Sequence, residues 1–135
     1  MIYLTKRVTF SSSHVLMNPE FDSEKNRDVY GKCSWPHGHG HNYVLEVTVK
    51  GEIPEETGMI IDLKVLKKII NETVADKMDH KFLNTDVDFL RDVIPTSENI
   101  IVMIWKELDK ALEPGMLYEL KLWETENNWV VYRGE

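Results

Sequence analysis

Apolar and polar residues alternate from Ile2 to His14, where Val8, Phe10, Ser12 and His14 fall on one face, because strand side chains repeat every second residue. The alternation returns from Tyr43 to Lys50, with Tyr43, Leu45, Val47 and Val49 on one side. Residues 15–38, between these runs, are rich in charge and have no clear period, which predicts a long functional loop. Gly51 to Gly58 reads as turns. Asp62 then caps a helix whose apolar positions, Leu63, Leu66, Ile70 and Val74, recur at near-helical spacing until it fades near Met78. A connection runs from Asp79 to Pro95. A second helix opens at Thr96-Ser97-Glu98-Asn99, a hydroxyl cap after proline with an acid in the first turn. Its buried stripe is Ile100 or Ile101, Ile104, Leu108 and Ala111 or Leu112, and Glu113-Pro114-Gly115 ends it. Leu117 to Thr125 and Trp129 to Arg133, parted by a turn at Asn127-Asn128, read as closing strands.

The order ββααββ predicts an α+β fold in one domain over 1–135, a four-stranded antiparallel sheet with both helices on one face. Leu122, Trp123, Trp129 and Tyr132 put apolar groups on both faces of that sheet, so an oligomer that buries the second face is expected. The chain is 42% hydrophobic and 29% charged, as in an ordinary globular protein. No apolar run reaches membrane length, and Met1 leads into strand-like sequence rather than a signal peptide. The single cysteine cannot form an internal disulfide, which points to the cytosol. A net charge of -7 argues against nucleic acid as a partner. It leaves room for a small anionic substrate met by locally gathered cations.

Antiparallel pairing of the first two strands brings the end of one beside the start of the other. His14 then meets His39 and His41, which share a strand face. Three neutral imidazoles with one position left open suit a catalytic zinc. His37 has the same parity as His39 and His41, so it too is a candidate ligand. Cys33 is either an inert buried thiol, the usual state of a lone cysteine, or, in its irregular setting between Gly31-Lys32 and a Trp-Pro turn, a base whose thiolate a nearby cation or metal would favour. Asp79-His80 reads either as a helix end with a favourable histidine or as a carboxylate orienting an imidazole. Glu124, in an otherwise apolar strand, is either a solubilising charge or an acceptor for an amino-pyrimidine edge. Lys25, Arg27 and Lys32, on the long loop, are either solvated surface or phosphate contacts.

Taken together, Phe10-Ser11-Ser12-Ser13-His14, Tyr30-Gly31-Lys32-Cys33, His39-Gly40-His41-Asn42-Tyr43, Gly58-Met59, Asp79-His80-Lys81, Pro95-Thr96-Ser97-Glu98-Asn99 and Trp123-Glu124-Thr125 resemble the 6-pyruvoyl tetrahydropterin synthase family. The resemblance runs to the closing Val130-Val131-Tyr132-Arg133-Gly134-Glu135. It implies the tunnelling fold, in which ββααββ units join around a barrel as a homohexamer of two trimers. It implies zinc on His14, His39 and His41, and Cys33 as general base. Asp79 and His80 would assist from a neighbouring subunit. Glu124 matches the glutamate that anchors the pterin, and Thr96, Ser97 and Glu98 match a segment lining the pterin pocket. The implied reaction converts 7,8-dihydroneopterin triphosphate to 6-pyruvoyl tetrahydropterin with loss of triphosphate.

Two branches of the family differ at the cysteine loop. The 6-carboxytetrahydropterin synthases of queuosine and deazapurine biosynthesis typically have three residues between the cysteine and the His-x-His pair. Here five intervene, Ser34 to Gly38, as in the members serving tetrahydrobiopterin. A third branch replaces the cysteine with glutamate, and Cys33 speaks against it. A small oligomeric module that binds metal or pterin without turnover is the non-enzyme alternative.

Overall fold

A single mixed sheet of five strands runs through the computed structural model, which describes residues 1–135. Its central pair, β1 (Ile2–His14) and β2 (His39–Gly51), is antiparallel along the full length, from Ile2 opposite Gly51 to His14 opposite His39. Strand β4 (Leu117–Thr125) pairs antiparallel with β2, and β5 (Asn128–Tyr132) with β4. The alternation in the sequence is the alternation of the sheet. Val8, Phe10, Ser12 and His14 are buried beside Tyr43, Leu45, Val47, Val49, Leu120 and Leu122. The opposite face carries Thr5, Thr48, Glu46 and Trp123, with Trp123 Nε1 donating to Glu46 Oε1 at 2.9 Å.

Two helical arms cover the buried face. Helix α2 (Leu63–Ile70) starts at Asp62, whose carboxylate accepts the Lys64 N–H. It widens into one π turn over Asn71–Ala75 and ends in α3 (Asp76–Met78). Leu66, Ile70, Val74 and Met78 are fully buried on it. Helix α4 (Ser97–Ala111) is capped by Thr96, whose hydroxyl accepts the Asn99 N–H at 3.2 Å, and buries Ile100, Ile101, Ile104 and Leu108. One apolar cluster of 22 buried residues joins both arms to the sheet. Each fully buried Leu or Ile side chain contributes about 1.5–3 kcal/mol.

Two elements depart from the sequence expectation. The sheet has a fifth strand, β3 (Lys81–Phe82), parallel to β1 with Ser12 opposite Lys81. At two residues it is too short to show a period. The long segment also folds: α1 (Ser23–Tyr30) and a 3₁₀ turn over Gly31–Ser34 occupy its second half. Helix α1 has no apolar stripe. Its one buried residue is Asn26, and Asp22 caps it by accepting the Lys25 N–H at 2.8 Å.

Ile104 sits between α4 and the sheet with no exposed surface. Ile104→Ala is expected to lower unfolding stability by about 2–5 kcal/mol, read from the urea midpoint at unchanged slope. An unshifted midpoint would show that α4 does not help hold the core.

Candidate metal centre and adjoining pocket

The β1–β2 register sets His14 against His39, and His41 follows on the same face. The three rings meet edge to face, with centroids 4.7, 5.1 and 4.9 Å apart for the pairs His14–His39, His14–His41 and His39–His41. One nitrogen from each lies within 4.8 Å of the others. His14 Nδ1–H donates to the Pro95 carbonyl at 2.8 Å, which leaves the lone pair on Nε2. That Nε2 stands 3.2 Å from His39 Nε2. His41 Nε2 is buried and has no hydrogen-bond partner.

These residues fit a divalent cation. Two imidazole ligands at about 2.0–2.1 Å on a tetrahedral ion stand roughly 3.3–3.4 Å apart, close to the His14–His39 spacing. An all-imidazole set favours zinc-like metals over magnesium or calcium. Burial lowers the pKa of His14, against the raising effect of the Pro95 hydrogen bond. Burial also lowers that of His41, against Glu124. Both shifts keep the rings neutral, the form a metal needs.

Glu124 adjoins this cluster. Val44 lies opposite Trp123 in the sheet, so Tyr43 and Glu124 come side by side on the inner face. Glu124 Oε1 is 3.7 Å from His41 Nε2, and Oε2 accepts the Ser97 hydroxyl at 2.7 Å. Thr96, Ser97, Glu98 and Glu124 line one cavity of about 250 Å³. The Tyr43 hydroxyl beneath is buried without a partner, and burial, then Glu124, push its pKa upward.

Cys33 is half-buried in the 3₁₀ turn, and its carbonyl accepts the Leu16 N–H at 2.8 Å. Asp79 and His80 are tied instead to the part of β1 that precedes His14. The Ser11 N–H donates to Asp79 Oδ1 at 2.8 Å, and the His80 N–H donates to the Ser11 carbonyl. His80 Nδ1 is 3.0 Å from Asp79 Oδ2, and its backbone is left-handed at φ +59°. The Ser11 N–H first, and the imidazole after it, hold the Asp79 carboxyl below its usual range. The His80 side chain is 83% exposed, so its ring faces outward from this chain.

A family model for 6-pyruvoyl tetrahydropterin synthase matches residues 3–135. The chain belongs to this family. It is 47% identical over 132 residues to the 6-pyruvoyl tetrahydrobiopterin synthase of Homo sapiens, covering 98% of this chain and 91% of that one. With the Dictyostelium discoideum protein of the same name it shares 48% over 134 residues, covering 99% and 97%. The solved structure of Caenorhabditis elegans 6-pyruvoyl tetrahydropterin synthase superposes with a TM-score of 0.93 at 33% identity, covering 99% of this chain and 96% of that one. The tunnelling-fold expectation stands, with a five-stranded rather than a four-stranded sheet.

The candidate ligands sort clearly against this family frame. His37 is exposed and outside the converging three, because Gly38 turns the chain at φ +73° before β2 begins. A Cβ at Gly38 would stand 3.0 Å from the His14 carbonyl oxygen. Lys25 holds its ammonium over the Phe21 ring at 4.0 Å. Reading the sequence alone missed the Pro95 carbonyl, the Ser97–Glu124 bond and Asn84. Asn84 accepts the Val15 N–H and donates to the Val15 carbonyl, both at 2.8 Å, so its amide replaces a strand partner just after His14.

That amide fixes the segment on which Cys33 also rests. Asn84→Ala strips both partners from buried Val15 and is expected to cost about 1–3 kcal/mol in the denaturant midpoint. It should also speed alkylation of Cys33 by iodoacetamide. Wild-type values for both would show that the clamp does no structural work.

Proposed function

We propose that this chain is a zinc-dependent 6-pyruvoyl tetrahydropterin synthase acting on 7,8-dihydroneopterin triphosphate. The observation that carries the reading is the 3.7 Å approach of His41 Nε2 to Glu124, which joins a three-histidine centre to a pterin-anchoring carboxylate in one site. The relatives at 47–48% identity bear the same activity in their names, and the five-residue spacing after Cys33 supports the pyruvoyl product over the carboxy one.

His14, His39 and His41 would hold zinc, which supplies Lewis-acid polarisation of a substrate oxygen. Glu124 accepts hydrogen bonds from the amino-pyrimidine edge, with Ser97 fixing one of its oxygens. Thr96 and Glu98 border the same pocket. Cys33 Sγ takes a proton from the side-chain carbon next to the ring. The side chain is oxidised as the ring is reduced to the tetrahydro level, so the changes cancel within the substrate. Triphosphate leaves by elimination. The outward-facing Asp79–His80 pair suits a role at a neighbouring subunit's cysteine, in a homohexamer built from single-domain chains. No helix is long and apolar enough to cross a membrane.

Mass spectrometry after incubating zinc-loaded protein with 7,8-dihydroneopterin triphosphate should find 6-pyruvoyl tetrahydropterin. A 6-carboxy product with acetaldehyde would overturn the product assignment, and unchanged substrate the catalytic one. Cys33→Ala is expected to lower turnover by about 10²–10⁴ while keeping its metal. A binding module without turnover would be indifferent to that change. His39→Ala should bring bound zinc below one per chain, and full occupancy there would refute the ligand set.

A further inference from the structure

We propose that the cavity beside α1 binds a chain of phosphate groups through Arg27 and His37. The proposal rests on the function above only for the source of those phosphates. The cavity measures about 690 Å³, within the usual size range for small-molecule sites. Arg27 and His37 line it together with Ser23, Ser34, Thr85 and Trp35, although the Ser34 hydroxyl donates to the Gly31 carbonyl and that of Thr85 to Asp86 Oδ1. None of its twelve lining residues is acidic, in a chain with 23 acidic against 16 basic residues. The lining itself thus carries no carboxylate on an acidic chain, and the adjoining Asp86 carboxylate is occupied by the Thr85 hydroxyl.

Arg27 is also uncommitted. Arg91 and Arg133 are taken up by Asp88 and Glu119, whereas Arg27, like the distant-in-sequence Arg7, belongs to no ion pair, and of these two only Arg27 lines this cavity. Its guanidinium offers a planar fork that matches phosphate oxygens in pairs. His37, turned away from the metal cluster by Gly38, supplies a ring N–H. Lys25 is engaged by Phe21 and Lys32 does not line the cavity, so one of the three loop cations remains. The N-terminus of α1 is not the attractor, because the Asp22 carboxylate already occupies it.

The uncommitted donors come from α1, with Arg27, and from the segment before β2, with His37, so they reach the space from two separate elements. The walls also share backbone with the catalytic site: Val15 follows His14, Ser34 follows Cys33, and His37 lies two residues before His39. The phosphate chain is either the triphosphate tail of the substrate or the tripolyphosphate released from it.

The test is calorimetric titration of inorganic tripolyphosphate into the zinc-loaded protein and into Arg27→Gln, His37→Gln and the charge control Arg91→Gln. Loss of about tenfold or more in affinity is expected for the first two variants and none for the control. Absence of binding, or equal binding by all four proteins as a contact with zinc alone would give, overturns the proposal. Steady-state kinetics then separates the sources. A parallel rise in KM for 7,8-dihydroneopterin triphosphate in Arg27→Gln assigns the substrate's tail. An unchanged KM with weakened tripolyphosphate inhibition assigns the free anion. Binding that depends on Arg27 in a protein without turnover would sustain the cavity and sink the enzymatic reading.

Discussion

The antiparallel register of β1 against β2 is the constraint on which core and site both depend. Its thirteen pairs run without a bulge from Ile2–Gly51 to His14–His39. A slip of one residue would turn Val8 and Phe10 outward with Tyr43, Leu45, Val47 and Val49 left facing the wrong partners. The same slip would take His14 away from His39 and His41. Burial of the apolar stripe therefore enforces the meeting of the histidines, and no separate device is needed to bring them together. The Pro95 carbonyl then sets which nitrogen of His14 is free. Because Pro95 precedes the cap of α4, that one bond also ties His14 to Thr96, Ser97 and Glu98.

Beyond the strands the backbone is irregular, and its polar groups still need partners. Side-chain amides answer this. Asn84 serves both backbone groups of Val15, and Asn26 accepts the Asn18 N–H at 2.9 Å and donates to its carbonyl at 3.1 Å. Between these two clamps the Leu16 N–H reaches the Cys33 carbonyl. The segment after His14 is thus pinned on three sides without belonging to the sheet. Cys33 is located by backbone bonding rather than by packing, since the 3₁₀ turn that carries it buries no residue. On the other arm, the Ser12 hydroxyl donates to the Met78 carbonyl at 2.6 Å and the Ser11 N–H to Asp79. The end of β1 so fixes both the Cys33 loop and the Asp79–His80 corner.

Much of this was legible because period and burial coincide. β1, β2, α2 and α4 show their apolar stripes in sequence, and the three histidines follow from pairing arithmetic. Helix α1 was illegible for the opposite reason: a helix whose single buried residue is an asparagine has no hydrophobic period to read. Strand β3 exists only because α3 delivers Lys81 to the free edge of β1. His37 misled by parity, since alternation holds only where the strand continues, and the left-handed turn at Gly38 stops it. Ser97 and Glu124 are 27 residues apart, and nothing local announces their bond.

The site also shows how metal and fold are coupled here. Three imidazoles packed edge to face leave His41 Nε2 buried without a partner, an omission that costs about 1–3 kcal/mol in a folded chain. A bound cation relieves it, so metal stabilises the folded protein by mass action. The 22-residue core contains none of the histidines, unlike small zinc domains that unfold when stripped. Strand register and apolar core are thus what place the three imidazoles together. Placement of this kind suits a site that could hold a metal on three imidazoles, since little of the ordering of those side chains is left for a metal to supply.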